Sequence, residues 1–117
     1  MSPFFLALAL NVAPVELQKC RVEMEWPLVH EPSGGVPLVE GVEVGFVNRT
    51  QKIASEVDVR ISYGRRTVTI ADRGKFSPAV RIDAIFDNFA GMNFWREEPD
   101  ECAIVRVKFA DGSIWTS

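Results

Sequence analysis

Val57, Val59, Ile61 and Tyr63 alternate without a break against Glu56, Asp58, Arg60 and Ser62. Successive side chains of an extended chain point to opposite faces, so this period of two dictates a strand with one buried side. The pattern recurs along the chain. Val42, Val44 and Phe46 alternate with Glu43 and Gly45, Thr67 to Ile70 forms a short run, and Val80, Ile82 and Phe86 mark another. Val105, Val107 and Phe109 share one face of a late strand that opens at Cys102. No helical pattern long enough for a parallel crossover separates these runs, so neighbouring strands pair antiparallel. The expected fold class is all-β, an immunoglobulin-like antiparallel β-sandwich of about seven strands, with turn signals spaced as in such folds. A partly open barrel is the alternative.

Local irregularities are readable too. Val15 and Leu17 share a face, whereas Cys20, Val22, Met24 and Trp26 share one in the other phase. The slip at Gln18-Lys19 predicts a β-bulge, in which one extra residue re-aims those that follow. Pro27 to Pro37 holds three prolines, Ser33 and Gly34-Gly35, and reads as a loop. Gly64-Arg65-Arg66 and Asp72-Arg73-Gly74 read as turns, and Asp111-Gly112 as a type I′ hairpin.

The 117 residues make one domain, 15–117, preceded by an apolar segment, 1–14. In that segment Phe4, Leu6, Leu8, Leu10 and Val12 are bulky, while Ala7, Ala9 and Ala13 are small. Three readings stand open. The run has the length of the apolar part of a secretory leader, but it lacks a basic start. Its period of two equally fits a retained strand buried on both faces, and its Ala and Leu content a short helix. It is too short to span a bilayer.

Cys20 and Cys102 are the only cysteines. They lie on an early and a penultimate strand, with no C-x-x-C and no metal-ligand spacing. We read them as a disulfide, which places the protein in a secreted or periplasmic setting, because such bonds persist only in oxidising compartments. Two buried thiols would be the alternative. The net charge of −3 supplies no basic surplus for a nucleic acid. Arg60, Arg65, Arg66, Arg73, Lys75 and Arg81 fall close together, as on a solvated, charge-balanced face.

Two segments resemble a family of small uncharacterised bacterial secreted proteins. They are Asp72-Arg73-Gly74-Lys75-Phe76-Ser77-Pro78-Ala79-Val80-Arg81-Ile82 and the run from Cys102 through Ile104, Arg106, Val107 and Phe109-Ala110-Asp111-Gly112-Ser113 to Trp115. The resemblance covers about the second half of the chain. Glycine usually stands at the position of Ala79. The family has no assigned activity, so the resemblance implies secretion and carries over no functional residue.

Chemistry-bearing motifs are sparse. His30 is the single histidine and stands in the Pro/Gly loop, without a nucleophile-elbow motif. Glu97-Glu98-Pro99-Asp100-Glu101 lacks the spacing of a calcium loop. Asn48-Arg49-Thr50 is a formal glycosylation sequon. The longest irregular stretch, 87–101, carries Phe89, Met92, Phe94, Trp95 and then Arg96. Aromatic anchors beside an arginine are what a protein-binding surface uses, and the same rings could instead cap one end of the sandwich.

The expected function is therefore a non-enzymatic extracytoplasmic interaction or structural domain, self-assembling through its N-terminal strand. It would use a protein partner or further copies of itself, and no catalytic residue, metal or cofactor. The alternative is a small ligand-binding or enzymatic domain built on the 27–37 and 87–101 loops.

Overall fold

The structure is a computed structural model, and it describes residues 12–25, 38–87, 89 and 96–117. Among the described residues seven strands run in chain order: β1 Val15–Glu25, β2 Leu38–Asn48, β3 Ala54–Tyr63, β4 Arg66–Phe76, β5 Arg81–Phe86, β6 Glu101–Phe109 and β7 Ile114–Thr116. They form a three-stranded sheet, β1-β2-β5, and a four-stranded sheet, β4-β3-β6-β7. Every pairing is antiparallel. The chain therefore crosses between sheets after β2, β4 and β5, as in an immunoglobulin-like sandwich whose fourth strand has moved to the second sheet.

The alternation read from the sequence is what fills the core. Val15 and Val22 of β1, Val42, Val44 and Phe46 of β2, and Val57, Val59, Ile61 and Tyr63 of β3 are all buried in one cluster. Phe46 meets Phe76 across the sheets edge to face, with ring centroids 5.2 Å apart, a geometry that aligns a positive ring edge with a negative face. Cys20 on β1 and Cys102 on β6 are joined by a disulfide, Cα to Cα 6.5 Å. The bond thus ties one sheet to the other.

The bulge at Gln18 is present, as a register shift between Leu17 and Lys19. Three local readings are corrected. Asp72-Arg73-Gly74 is not a turn, because β4 runs through it. Asp72 pairs with Val57 and Arg73 with Glu56, and the ladder resumes only at Phe76 opposite Ala54. Two residues, Gly74 and Lys75, thus face Ser55 alone, so the turn-forming composition marks a bulge. The turn comes later, at 77–80. Val105 does not share the core face with Val107. The shift between Asp58 and Val59 places Ile104 and Arg106 in the ladder and leaves Val105 over, so Ile104 faces the core.

The third correction concerns the last hairpin. A type I′ turn needs positive φ at both central residues. Gly112 has φ 91° and Asp111 does not share it. The Gly112 N–H donates to the Phe109 carbonyl at 3.0 Å, and the Phe109 N–H to the Ser113 carbonyl at 2.9 Å. This is a three-residue loop with glycine in the left-handed position.

Among the described residues Ala79 is the one non-glycine residue with positive φ, 65°. Its N–H donates to the Asn48 carbonyl at 2.8 Å, which holds the bend against the end of β2. The left-handed region costs an L-residue about 1–2 kcal/mol, and glycine forfeits part of that difference through its freer unfolded chain. Ala79→Gly is expected to stabilise the fold by about 0.5–1 kcal/mol, read as a higher urea midpoint at unchanged m-value. A lower midpoint would show that the alanine methyl contributes packing at the bend.

Candidate functional site

The loop between β5 and β6 ends in a segment that is pinned to both sheets. Tyr63, buried at the end of β3, donates its hydroxyl to the Arg96 carbonyl at 2.8 Å and accepts the Arg96 N–H at 2.5 Å. The Arg96 guanidinium lies 5.6 Å from the centre of the same ring, within cation–π range. Its Nε donates to the Glu98 carbonyl, and its terminal nitrogen pairs with Asp100. Asp100 in turn accepts the Gly64 N–H at 2.7 Å and donates its own N–H to the Ser62 carbonyl. On the other side, the Glu97 carbonyl accepts the Val22 N–H of β1, and its carboxylate sits 3.1 Å from Arg21.

This places two of the five residues expected to form a recognition surface. Phe89 is 7% exposed and belongs to the core. Arg96 is half exposed and engaged with Tyr63, Glu98 and Asp100. Met92, Phe94 and Trp95 lie outside the described residues, as do His30 and the 27–37 loop.

Asn48 was read only as a sequon residue, and its place is structural. It is 1% exposed, the one buried polar side chain among the described residues. Its amide nitrogen donates to the carbonyls of Lys52 at 2.7 Å and Phe76 at 3.0 Å. Its oxygen accepts from the Thr50 N–H at 3.0 Å and the Thr50 hydroxyl at 2.7 Å. All its hydrogen-bonding capacity is spent inside the fold, so the nitrogen a glycan would need is not available in the native protein.

Three of the six basic residues expected on a charge-balanced face, Arg60, Arg73 and Arg81, are held in ion pairs. Arg60 meets Glu101 and Arg73 meets Glu56 across strands, each at 2.7 Å, and Arg81 meets Asp83 along β5. Glu56 also receives Arg106 at 2.5 Å. The Arg73 hydrogen bond is the main cause holding the Glu56 carboxyl below its ordinary range, followed by its neighbour Asp58. Asp58 is pushed up, chiefly by burial and then by Glu56. At the sandwich end, Ser113 and Lys52 hold Asp111 down to about 2. Among the described residues no group of three or more His, Cys, Asp or Glu converges as metal ligands.

The main chain of the sheet edges is a separate matter. Unpaired edges invite strand addition, and folded proteins blunt them with bulges, inward charges, brevity or cover. Edge strand β1 is bent by its bulge and gives the Val22 N–H to Glu97. Edge strand β7 is only three residues long. Edge strand β4 has its own bulge, the exposed Arg73 and Lys75, and Asp72 opposite Val57 on the core side of the sheet. Among the described residues edge strand β5 has no bulge, inward charge or covering segment, and its outward Arg81 and Asp83 pair with each other. It pairs regularly with β2 from Arg81 to Phe86 and leaves Ile85 54% exposed.

Asp72 carries a cost that can be measured. One carboxylate oxygen is buried without a hydrogen-bond partner, and burial raises its pKa above 3.8. The folded state therefore holds more protons than the unfolded chain as pH rises from 3.8, and stability falls over that window. Asp72→Asn is expected to raise the urea midpoint at neutral pH and to change it little below pH 3.8. An equal shift at both pH values would show that the charge is not the cause.

Comparison with protein-family models, with curated proteins and with solved structures finds no match to this chain. The fold is an immunoglobulin-like β-sandwich, and among the described residues β5 is its one edge without a bulge, an inward charge or cover. Among the described residues no helix is long and apolar enough to cross a membrane.

Proposed function

We propose that the chain is a non-enzymatic interaction domain that works outside the cytosol and assembles with further copies of itself through its N-terminal segment. The observation that carries this reading is the edge of β5, left open among the described residues on a sandwich whose other edges are each blunted. The inter-sheet disulfide supports an oxidising compartment, since a cytosolic thiol pool would reduce it. So does the resemblance to small secreted bacterial proteins. An alternating apolar segment next to a domain with a free edge has the two halves that β-strand addition requires.

Sedimentation equilibrium of the full-length protein and of a variant lacking residues 1–11 tests this. The cut stops at 11 because Ala13 packs against the core and the Pro14 carbonyl accepts the Arg49 N–H. The full-length protein is expected to associate with rising concentration and the shortened one to remain a folded monomer. A full-length protein that stays monomeric throughout would end the proposal.

A further inference from the structure

We infer that the acceptor is β5, and that residues 4–10 of a second copy add antiparallel along Arg81–Phe86, an assignment that rests on the assembly reading above. The choice of edge follows from the comparison of all four. Among the described residues only β5 offers an unbroken ladder of six residues with no inward charge, bulge or covering segment. The exposed Ile85 lies on its outer face opposite Glu43, where a native edge would gain from a lysine.

The side chains match. Ile82, Ala84 and Phe86 lie on the core side of β5 and are only half-buried, so the core is incompletely sealed along this edge. Phe4, Leu6, Leu8 and Leu10 alternate at the same period and would extend the apolar layer past them. Ala7 and Ala9 would then lie beside Arg81, Asp83 and Ile85, leaving those side chains room. Phe5 is the one large residue on the small face.

The point of exit favours a second copy over the chain's own edge. Val47 pairs with both Glu16 and Arg81, so β1 starts at the same end of the sheet as β5. The chain enters there through Val12, which is 69% exposed. To reach its own β5 the segment would have to cross the end of β2, where the 77–80 turn is held by the Ala79 N–H on Asn48 and where Arg49 binds Pro14. A neighbour presents no such obstacle, and eleven extended residues reach roughly 37 Å. The contact is head-to-tail, so it builds a ring or an open filament.

The test uses full-length protein with a photo-crosslinking residue at position 7, mixed from nitrogen-14 and nitrogen-15 cultures. Illumination is expected to give adducts between differently labelled copies that map to residues 80–87. In parallel Ile85→Lys, an exposed substitution, is expected to weaken association at least tenfold while leaving the circular dichroism spectrum unchanged. Adducts to β5 within one copy, or between copies at another strand, would overturn the assignment while assembly itself stands. So would association unaffected by Ile85→Lys. A full-length protein that never associates would overturn the assembly reading and this inference with it.

Discussion

Reduction of the Cys20–Cys102 bond, or replacement of both cysteines by alanine, is expected to lower the unfolding free energy by about 4 kcal/mol. The two residues are 82 positions apart, and closing so long a loop removes a large share of the unfolded chain's conformations. The same bond joins β1 to β6, next to the place where Glu97 takes the Val22 N–H and Arg21. Loosening it therefore loosens the pinned segment as well. Urea unfolding with and without a reductant measures the loss, and alkylation mass before reduction tests the bond itself. A midpoint indifferent to reductant would mean that native contacts already hold the unfolded ensemble together, or that the thiols are free.

Asn48→Asp is expected to cost about 3 kcal/mol at neutral pH, although it changes a single atom. The amide nitrogen donates to two carbonyls, Lys52 and Phe76. An oxygen in its place removes both bonds and sets negative charge against two acceptors in a buried site. Each buried acceptor left unmet costs about 1–3 kcal/mol. The introduced carboxyl has a raised pKa in the folded state, so the loss is fully developed above that value. It shrinks as pH falls through it, because a protonated carboxyl again offers one donor. Thermal unfolding of the variant across the acid range checks this. A loss that is equal at every pH would place its cause in shape and not in charge.

The architecture was legible because it follows from a period. In β3 the buried positions Val57, Val59, Ile61 and Tyr63 alternate with charged or hydroxyl residues, and no other conformation places them on one face. The bulge at Gln18 showed itself because the apolar phase changes across it. At Val105 the extra residue is itself apolar, so the alternation Val105, Val107, Phe109 continues over a bulge that it conceals. Asp72-Arg73-Gly74 misleads for the opposite reason. On an edge strand, polar and glycine residues serve to bend and guard the chain, and their composition is that of a turn.

The candidate site was less legible. The open edge of β5 is a property of strand order, and strand order depends on which runs meet and not on what they contain. Asn48 is a turn-forming residue at a strand end, and its partner Phe76 stands 28 positions away. The composition of 87–101 drew attention to Arg96, but its engagement with Tyr63 requires β3 to be in place first.

The inter-sheet bond also sets what happens when the molecule is pulled. Without it, the stretch from Cys20 to Cys102 could be drawn out to roughly 280 Å as the sheets gave way. With it, the same stretch contributes 6.5 Å between α-carbons and no more. Tension entering through the N-terminal side travels along β1 only as far as Cys20, then leaves through Cys102 into β6, bypassing β2 to β5. Load applied between the two ends of the chain is in this way carried by a short covalent strut.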